Sequence, residues 1–161
     1  MAILVSDANI FIDVAVSNLS RAMFRLEDTI ATPDVLYHEE LQEHHPELPG
    51  LGLQVEQLSS EGVTEVERLR TVYTDPSSND LFALALAKTN EWTLLSGDGS
   101  LRQAAAAEAV EVHGTLWLVE RMVTTRVIQV ARAATAFELM RDNQRRLPWD
   151  EVDVMMSRLT M

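Results

Sequence analysis

The sequence predicts an α/β fold of three layers: a short, central parallel sheet flanked by helices, plus a helical C-terminal extension. Three observations predict it. Brief apolar runs at residues 2–6 (AILVS) and 92–96 (WTLLS) have the length of strands buried on both faces. Between and after such runs, apolar residues recur at helical spacing, so strands and helices alternate along the chain. From about residue 115 only helical patterning continues.

Each element follows from local pattern. The first strand ends at Asp7, where AxxFIxxAxxxL spacing predicts a helix to about Leu19, followed by a second helical stretch at 20–26. Residues 29–32 (TIAT) read as a strand, and Pro33-Asp34 opens a helix running to about His44, with Pro at a first turn and an acid beside it as the start signal. His45-Pro46 through Pro49-Gly50 interrupts it, 52–58 reads as extended, and 59–73 as a polar helix. Asp75-Pro76-Ser77-Ser78 is a turn and cap ahead of a helix at 79–88 whose AxALA pattern buries small residues. The strand at 92–96 ends in Gly97-Asp98-Gly99, an Ala-rich helix follows at 101–109, and 110–113 is a short strand. Helices then run to the end, with a break near Leu147-Pro148. No internal repeat or low-complexity linker divides the chain, so residues 1–161 are expected to be one domain, with a core over about 1–123 and C-terminal helices over about 124–161.

Composition narrows the function classes. The 161 residues are 47% hydrophobic and 24% charged, which is globular rather than disordered. There is no Cys, so disulfide frameworks, thiolate metal sites and cysteine nucleophiles are excluded, and a reducing compartment is compatible. No apolar run reaches membrane-spanning length, and MAILVSDANIF has no basic leader, so the expectation is a soluble, cytoplasmic protein without a membrane partner. Thirteen Lys plus Arg against 25 Asp plus Glu leave a net charge of −12, a poor balance for generic nucleic-acid binding. The charge is uneven, however. Eleven acids and no Lys or Arg lie between Glu27 and Glu67, whereas six Arg and only Glu138 and Asp142 lie between Arg121 and Arg146. That stripe, with Arg121, Arg126, Arg145 and Arg146 foremost, is a candidate phosphate contact as well as an ordinary solvated face.

In a parallel sheet, ligands bind beyond the carboxyl ends of the strands. Asp7 and Asp98 each follow an apolar run there, and would converge if their strands are neighbours. Asp80, at a helix start, and the pair Glu39-Glu40, in PDVLYHEEL, complete an acidic constellation. Hard carboxylate oxygens suit Mg²⁺ or Mn²⁺, and a bound dication relieves the mutual repulsion that would otherwise raise their pKa values. By spacing alone each of Asp7, Asp80 and Asp98 is equally an N-cap, Glu39 and Glu40 a solvated face, and Asp13 a solvated residue or cap partner.

Taken together and in this order, LVSDANIFID, TPDVLYHEEL, SSNDLFALALAK and LLSGDGSLRQAA resemble the acidic segments of the PIN domain family of metal-dependent ribonucleases, over about residues 3–113. The region from HGTLWLVERMV onward resembles the longer C-terminal part of a VapC-like bacterial toxin subgroup. The resemblance implies a PIN-like three-layer fold and hydrolysis of RNA phosphodiesters with Mg²⁺ or Mn²⁺. It implies metal-facing, catalytic roles for Asp7, Asp80 and Asp98, with Glu39 as the fourth acid and Glu40 as its competitor. Asn9, Ser77 and Ser96 would orient the acids, and Ser100 stands two after Asp98 where many relatives have another acid or polar group. It also implies a toxin–antitoxin setting, with a small antitoxin as partner and a homodimer. The alternative of another class is a non-catalytic PIN-like interaction module.

Other chemistries lack their signatures. HExxH, GxSxG, GxGxxG and GxxxxGK[ST] are absent. His38, His44 and His45 with Glu43 and Glu47 suggest a transition-metal site, but His44-His45-Pro46 lies at a helix end, where polar caps are common. A haloacid-dehalogenase-type phosphatase needs Asp-x-Asp, whereas the third position here is Asn9. Trp92 and Trp117 read as core residues, Trp149 as a packing anchor or interface residue, and Met155, Met156 and Leu159 as the apolar face of a terminal helix.

Overall fold

The computed structural model describes residues 2–161. Its centre is a five-stranded, wholly parallel sheet: β1 (Ile3–Ser6), β2 (Thr29–Pro33), β3 (Gln54–Glu56), β4 (Thr93–Leu95) and β5 (Val112–His113), in the order β3-β2-β1-β4-β5. Leu4, Val5, Ile30, Leu94 and Leu95 are almost inaccessible. Strands covered on both faces cannot alternate polar and apolar side chains, which is why the two key runs are continuously apolar.

The register pairs Val5 with Ala31 on one side and with Leu94 on the other. The chain leaves β1 toward β2 and later returns to the opposite side of β1 as β4. The crevice at the carboxyl ends of β1 and β4 is thus the topological switch point, where open α/β sheets place their ligands.

Helices cover the sheet. The early ones are α1 (Ala8–Val16), α2 (Ser20–Met23), α3 (Asp34–Leu36), α4 (Leu48–Leu51) and α5 (Ser60–Val72). They are followed by α6 (Ser78–Asn90), α7 (Gly99–Ala107), α8 (Thr115–Thr124), α9 (Val130–Asp142) and α10 (Trp149–Thr160). Helix α6 is buried on most of its surface, with Leu81 and Ala83–Ala87 all inaccessible, and it packs on β1, β2, β4 and α5. Its small residues let helix and sheet approach closely, so AxALA is a packing requirement. Helices α8 and α9 pack on α1, and α10 packs on α9, which brings the C-terminal part over the start of the chain. No helix among the described residues is long and apolar enough to cross a membrane.

Two expectations need correction. The helix expected from Pro33 to His44 is a single α-turn that passes into a π-helix at Tyr37–Leu41. The inserted residue turns the YHEEL side chains by about 100° relative to a continuous α-helix, from the 3.6-residue period, and keeps both Tyr37 and Leu41 in the core. Asp13, expected to be solvated or a cap partner, is buried. It accepts from Thr115 Oγ1 at 2.6 Å and pairs with Arg145 Nε at 2.6 Å. The fixed charge of Arg145 and the Thr115 hydroxyl replace the water that Asp13 gives up.

Candidate active site

Strands β1 and β4 bring two acids to the switch point. Asp7 directly follows β1 and caps α1, its Oδ1 accepting from Ile10 N at 3.1 Å. Its backbone N–H donates to Leu95 O of β4 at 3.1 Å. Ser96, the residue after β4, donates its hydroxyl to Asp7 Oδ2 at 2.6 Å and accepts from Asp98 N at 3.1 Å. One buried hydroxyl therefore bridges the two strand ends and sets the spacing of Asp7 and Asp98. Asp98 in turn caps α7, and its Oδ2 accepts from Ser100 Oγ at 2.9 Å.

Asp80 enters from the N-terminal turn of α6. A reciprocal capping box holds it: Asp80 N donates to Ser77 Oγ and Ser77 N donates to Asp80 Oδ2, both at 3.1 Å. This is the same Ser three before Asp that marked the segment in the sequence. Next to it, Asn79 Nδ2 donates to Glu40 Oε2 at 2.9 Å. Glu39 and Glu40 are both exposed, and of the two only Glu40 has a hydrogen bond among those of the described residues, to the start of α6.

Electrostatics separate these acids from the rest. Burial pushes Asp7 up to about 6, against the opposing hydrogen bonds from Ser96 and Ile10, and the charges of Asp80 and Asp13 add to the rise. Asp80 is raised too, first by burial, with Ser77 opposing and the charge of Asp98 reinforcing it. Among the described residues no Lys or Arg forms an ion pair with Asp7, Asp80 or Asp98; their partners are serine hydroxyls and backbone N–H groups. Three acids thus crowd together with no side-chain cation to balance them.

That donor set has the chemistry of a divalent-ion site: hard oxygens and unmet negative charge. No three His, Asp or Glu side chains among the described residues are gathered closely enough to form a cage. The switch point therefore offers hard oxygen donors without a preformed cage of ligands. The His38, His44 and His45 cluster forms no such group either: His38 meets Gln42 at 2.9 Å and His45 faces Glu47 at 3.7 Å.

Family comparison agrees with this geometry. A model of the family DUF3368, described as a PIN domain, matches residues 3–160. The chain is a PIN domain. A search of curated proteins finds no match. PIN domains are generally nucleases and typically use divalent metals, so the chain has a nuclease-type function on nucleic acid. The match runs through α8, α9 and α10, so the C-terminal helices belong to this PIN domain's own family pattern.

Not every residue singled out in the sequence lies where the PIN resemblance implied. Ser96, Ser77 and Ser100 do bond to Asp7, Asp80 and Asp98. Asn9 does not: it is exposed, and its Oδ1 lies 3.4 Å from Arg145 Nη2. Of the arginine stripe, Arg121 is committed to Asp28 through Nε at 2.5 Å and Nη2 at 2.9 Å, and Arg145 to Asp13. Arg126 and Arg146 remain exposed. Arg145 and Arg146, named in the sequence as phosphate contacts, line a cavity of about 460 Å³ together with Asn9 and Asp98. What sequence reasoning missed is the pairing of Arg145 with Asp13. The available signal was Asp13, an acid on the apolar face of α1 that needed a cationic partner.

Proposed function

We propose that this PIN domain is a metal-dependent endoribonuclease that hydrolyses RNA phosphodiester bonds with Mg²⁺ or Mn²⁺. The observation that carries this reading is the pair Asp7 and Asp98, joined through Ser96 at the switch point, with Asp80 near and no side-chain cation among them. Asp7, Asp80 and Asp98 would hold the ion, and Glu40, hydrogen-bonded to the start of α6, is better placed than Glu39 to be the fourth acid. A divalent ion bound there activates water and offsets charge on the phosphate. Ser96 holds Asp7 and the Asp98 backbone in register, Ser100 fixes one Asp98 oxygen, and the Ser77 box holds Asp80. Exposed Arg146 supplies positive charge next to the acids for the incoming strand.

The same proposal includes the finer setting that the resemblance implies: a VapC-like toxin, cytoplasmic, paired with a small antitoxin that covers the acidic site, and working as a homodimer. It also takes residues 1–161 as one domain, since α8–α10 pack back on α1 and on one another. A second reading, a non-catalytic interaction module, is favoured by the uncaged acids and by neutral Ser100.

Cleavage of a mixed RNA pool with Mn²⁺, with EDTA and with Asp98→Asn separates the two. The nuclease cuts only with Mn²⁺ and intact Asp98, and its melting temperature rises with Mn²⁺ because an ion that binds only the folded state stabilises it by mass action. Absence of both metal-dependent cutting and metal-dependent stabilisation would establish the interaction module. Growth arrest on expression, dependent on Asp98, tests the toxin setting.

A further inference from the structure

A second cavity, of about 790 Å³, adjoins the acidic site and has no part in holding the acids. It shares Asp13, Gly97 and Arg146 with the smaller cavity beside Asp98, so the two are neighbours. We propose that it is a subsite for one unstacked nucleotide of a single-stranded RNA passing through the Asp7–Asp98 site. The proposal rests on the nuclease reading for its strand, and on independent residues for its recognition.

Three observations point to a nucleobase. First, His113 and Trp117 line the cavity and stack face to face, with ring centroids 4.2 Å apart and planes within 8°. The guanidinium of Arg121 lies 5.3 Å from the Trp117 ring and is absent from the cavity lining. With Arg121 already placed against Trp117, and the His113 side chain 29% accessible, His113 is the ring offered to a base. Base-on-ring stacking is tolerant of sequence because every base has a π-face.

Second, the cavity is lined by two arginines without carboxylate partners among the described residues, of which Arg146 also lines the smaller cavity. Arg146 is exposed and forms no ion pair among the described residues, and Arg102 donates to the backbone carbonyl of Ser96 at 2.9 Å. Gly114 makes room for that guanidinium, since a Cβ there would sit 3.1 Å from Arg102 Nη1. Phosphates on either side of the stacked base would meet these two arginines. Third, the lining also carries Asp150 and Glu151, in the first turn of α10, beside Glu120, which is paired with Arg158. The carboxylates of Asp150 and Glu151 have no cationic partner among the described residues and disfavour a further phosphate, so the subsite suits one nucleotide.

The test titrates fluorescent single-stranded RNA hexamers, intact or with one abasic residue at each position in turn, against the full chain carrying Asp98→Asn. Binding is measured with Mn²⁺ present, and cutting by the chain with Asp98 intact is measured separately. Expected is one position at which base removal weakens binding about tenfold. In His113→Ala that penalty disappears and the intact hexamer binds about tenfold more weakly, while His113→Phe retains the penalty. If His113→Ala does not fold, comparison of His113→Phe with His113→Leu decides in its place. Arg146→Gln weakens every hexamer alike and flattens the salt dependence. Equal sensitivity at all positions, a penalty that survives loss of the His113 ring, or no hexamer binding overturns the subsite. If Asp98-dependent cutting persists in that case, the nuclease reading stands without it. An intact His113-dependent penalty with no cutting keeps the subsite and removes the nuclease.

Discussion

Asp7 and Asp28 are buried acids at opposite ends of the same parallel sheet, Asp7 just after β1 and Asp28 just before β2, and they are held in opposite ways. Burial raises both. At Asp28 the two-pronged contact from Arg121 and the Ala2 N–H outweigh burial and leave the carboxyl below its usual range. At Asp7 a serine hydroxyl and one N–H do not outweigh burial, and the carboxyl rises to about 6. The pattern extends outward from each. Glu65 and Glu108, on the flank, share Lys88 and Arg68, with Tyr73 also donating to Glu108, which falls to about 2. Asp80, beside Asp7, is raised. Among the described residues five cations, Arg68, Lys88, Arg121, Arg145 and Arg158, are paired with acids away from the switch point, while Asp7, Asp80 and Asp98 have no such partner. Perturbed carboxyls left without a cation at a strand-end crevice are the feature on which the proposed metal site rests.

The largest effect that sharpens this contrast is predicted at Arg121. Arg121→Ala leaves the Asp28 side chain, only 1% exposed, with an unpaired charge. A loss of about 3 kcal/mol in urea unfolding at pH 7 is expected, the low end for a broken buried pair because Arg121 is partly exposed. Asp28→Asn added to Arg121→Ala should recover much of it. A loss below about 0.5 kcal/mol, the size of an exposed pair, would break the comparison.

Asp7 should respond with the opposite sign. Its folded pKa of about 6 exceeds the ordinary 3.8, so without metal its ionisation opposes folding above pH 6. That cost shrinks as pH falls from about 6 toward 3.8. In EDTA, Asp7→Asn is expected to stabilise the chain by about 2 kcal/mol at pH 8 and by clearly less at pH 5, since Asn still caps α1. With saturating Mn²⁺ the order should invert, because only Asp7 gains from the ion. Destabilisation by Asp7→Asn at pH 8 in EDTA would show that Asp7 is balanced after all. For Asp28, acid has the reverse action: the contribution of its ion pair is present above the unfolded pKa and is lost as pH falls through the lowered one.

The smallest effect is expected at Ser77. Ser77→Ala removes half of the capping box and should cost about 1 kcal/mol. Its larger consequence should be weaker Mn²⁺ binding, as Asp80 loses the group that orients it, by about tenfold. An unchanged affinity for Mn²⁺ would make Ser77 a cap and nothing more.

Much of this was legible along the chain. The apolar runs AILVS and WTLLS marked β1 and β4 because both faces of each are covered. SSND and SGD marked the turns that aim Asp80 and Asp98, because capping uses short polar side chains at fixed offsets. The choice between Glu39 and Glu40 was not legible. It turns on one extra residue in the helical turn at Tyr37–Leu41, and nothing in local propensity distinguishes a π-turn from an α-turn. The arginine stripe misled for a similar reason: Arg121 and Arg145 face buried acids 93 and 132 residues away.

What the sequence determined by itself was therefore the set of strands, the caps and the four acidic segments, all of which depend on neighbours within a few residues. Tertiary structure decided which strand ends share one hydroxyl, which arginines are spent on buried acids, and that Gln144, Arg145 and Arg146 line a cavity with Asp98. Those outcomes depend on desolvation and charge across the whole packed chain. A carboxylate reads the same along the sequence whether the fold later gives it an arginine, as it does Asp13, or only a serine hydroxyl and a backbone N–H, as it does Asp7.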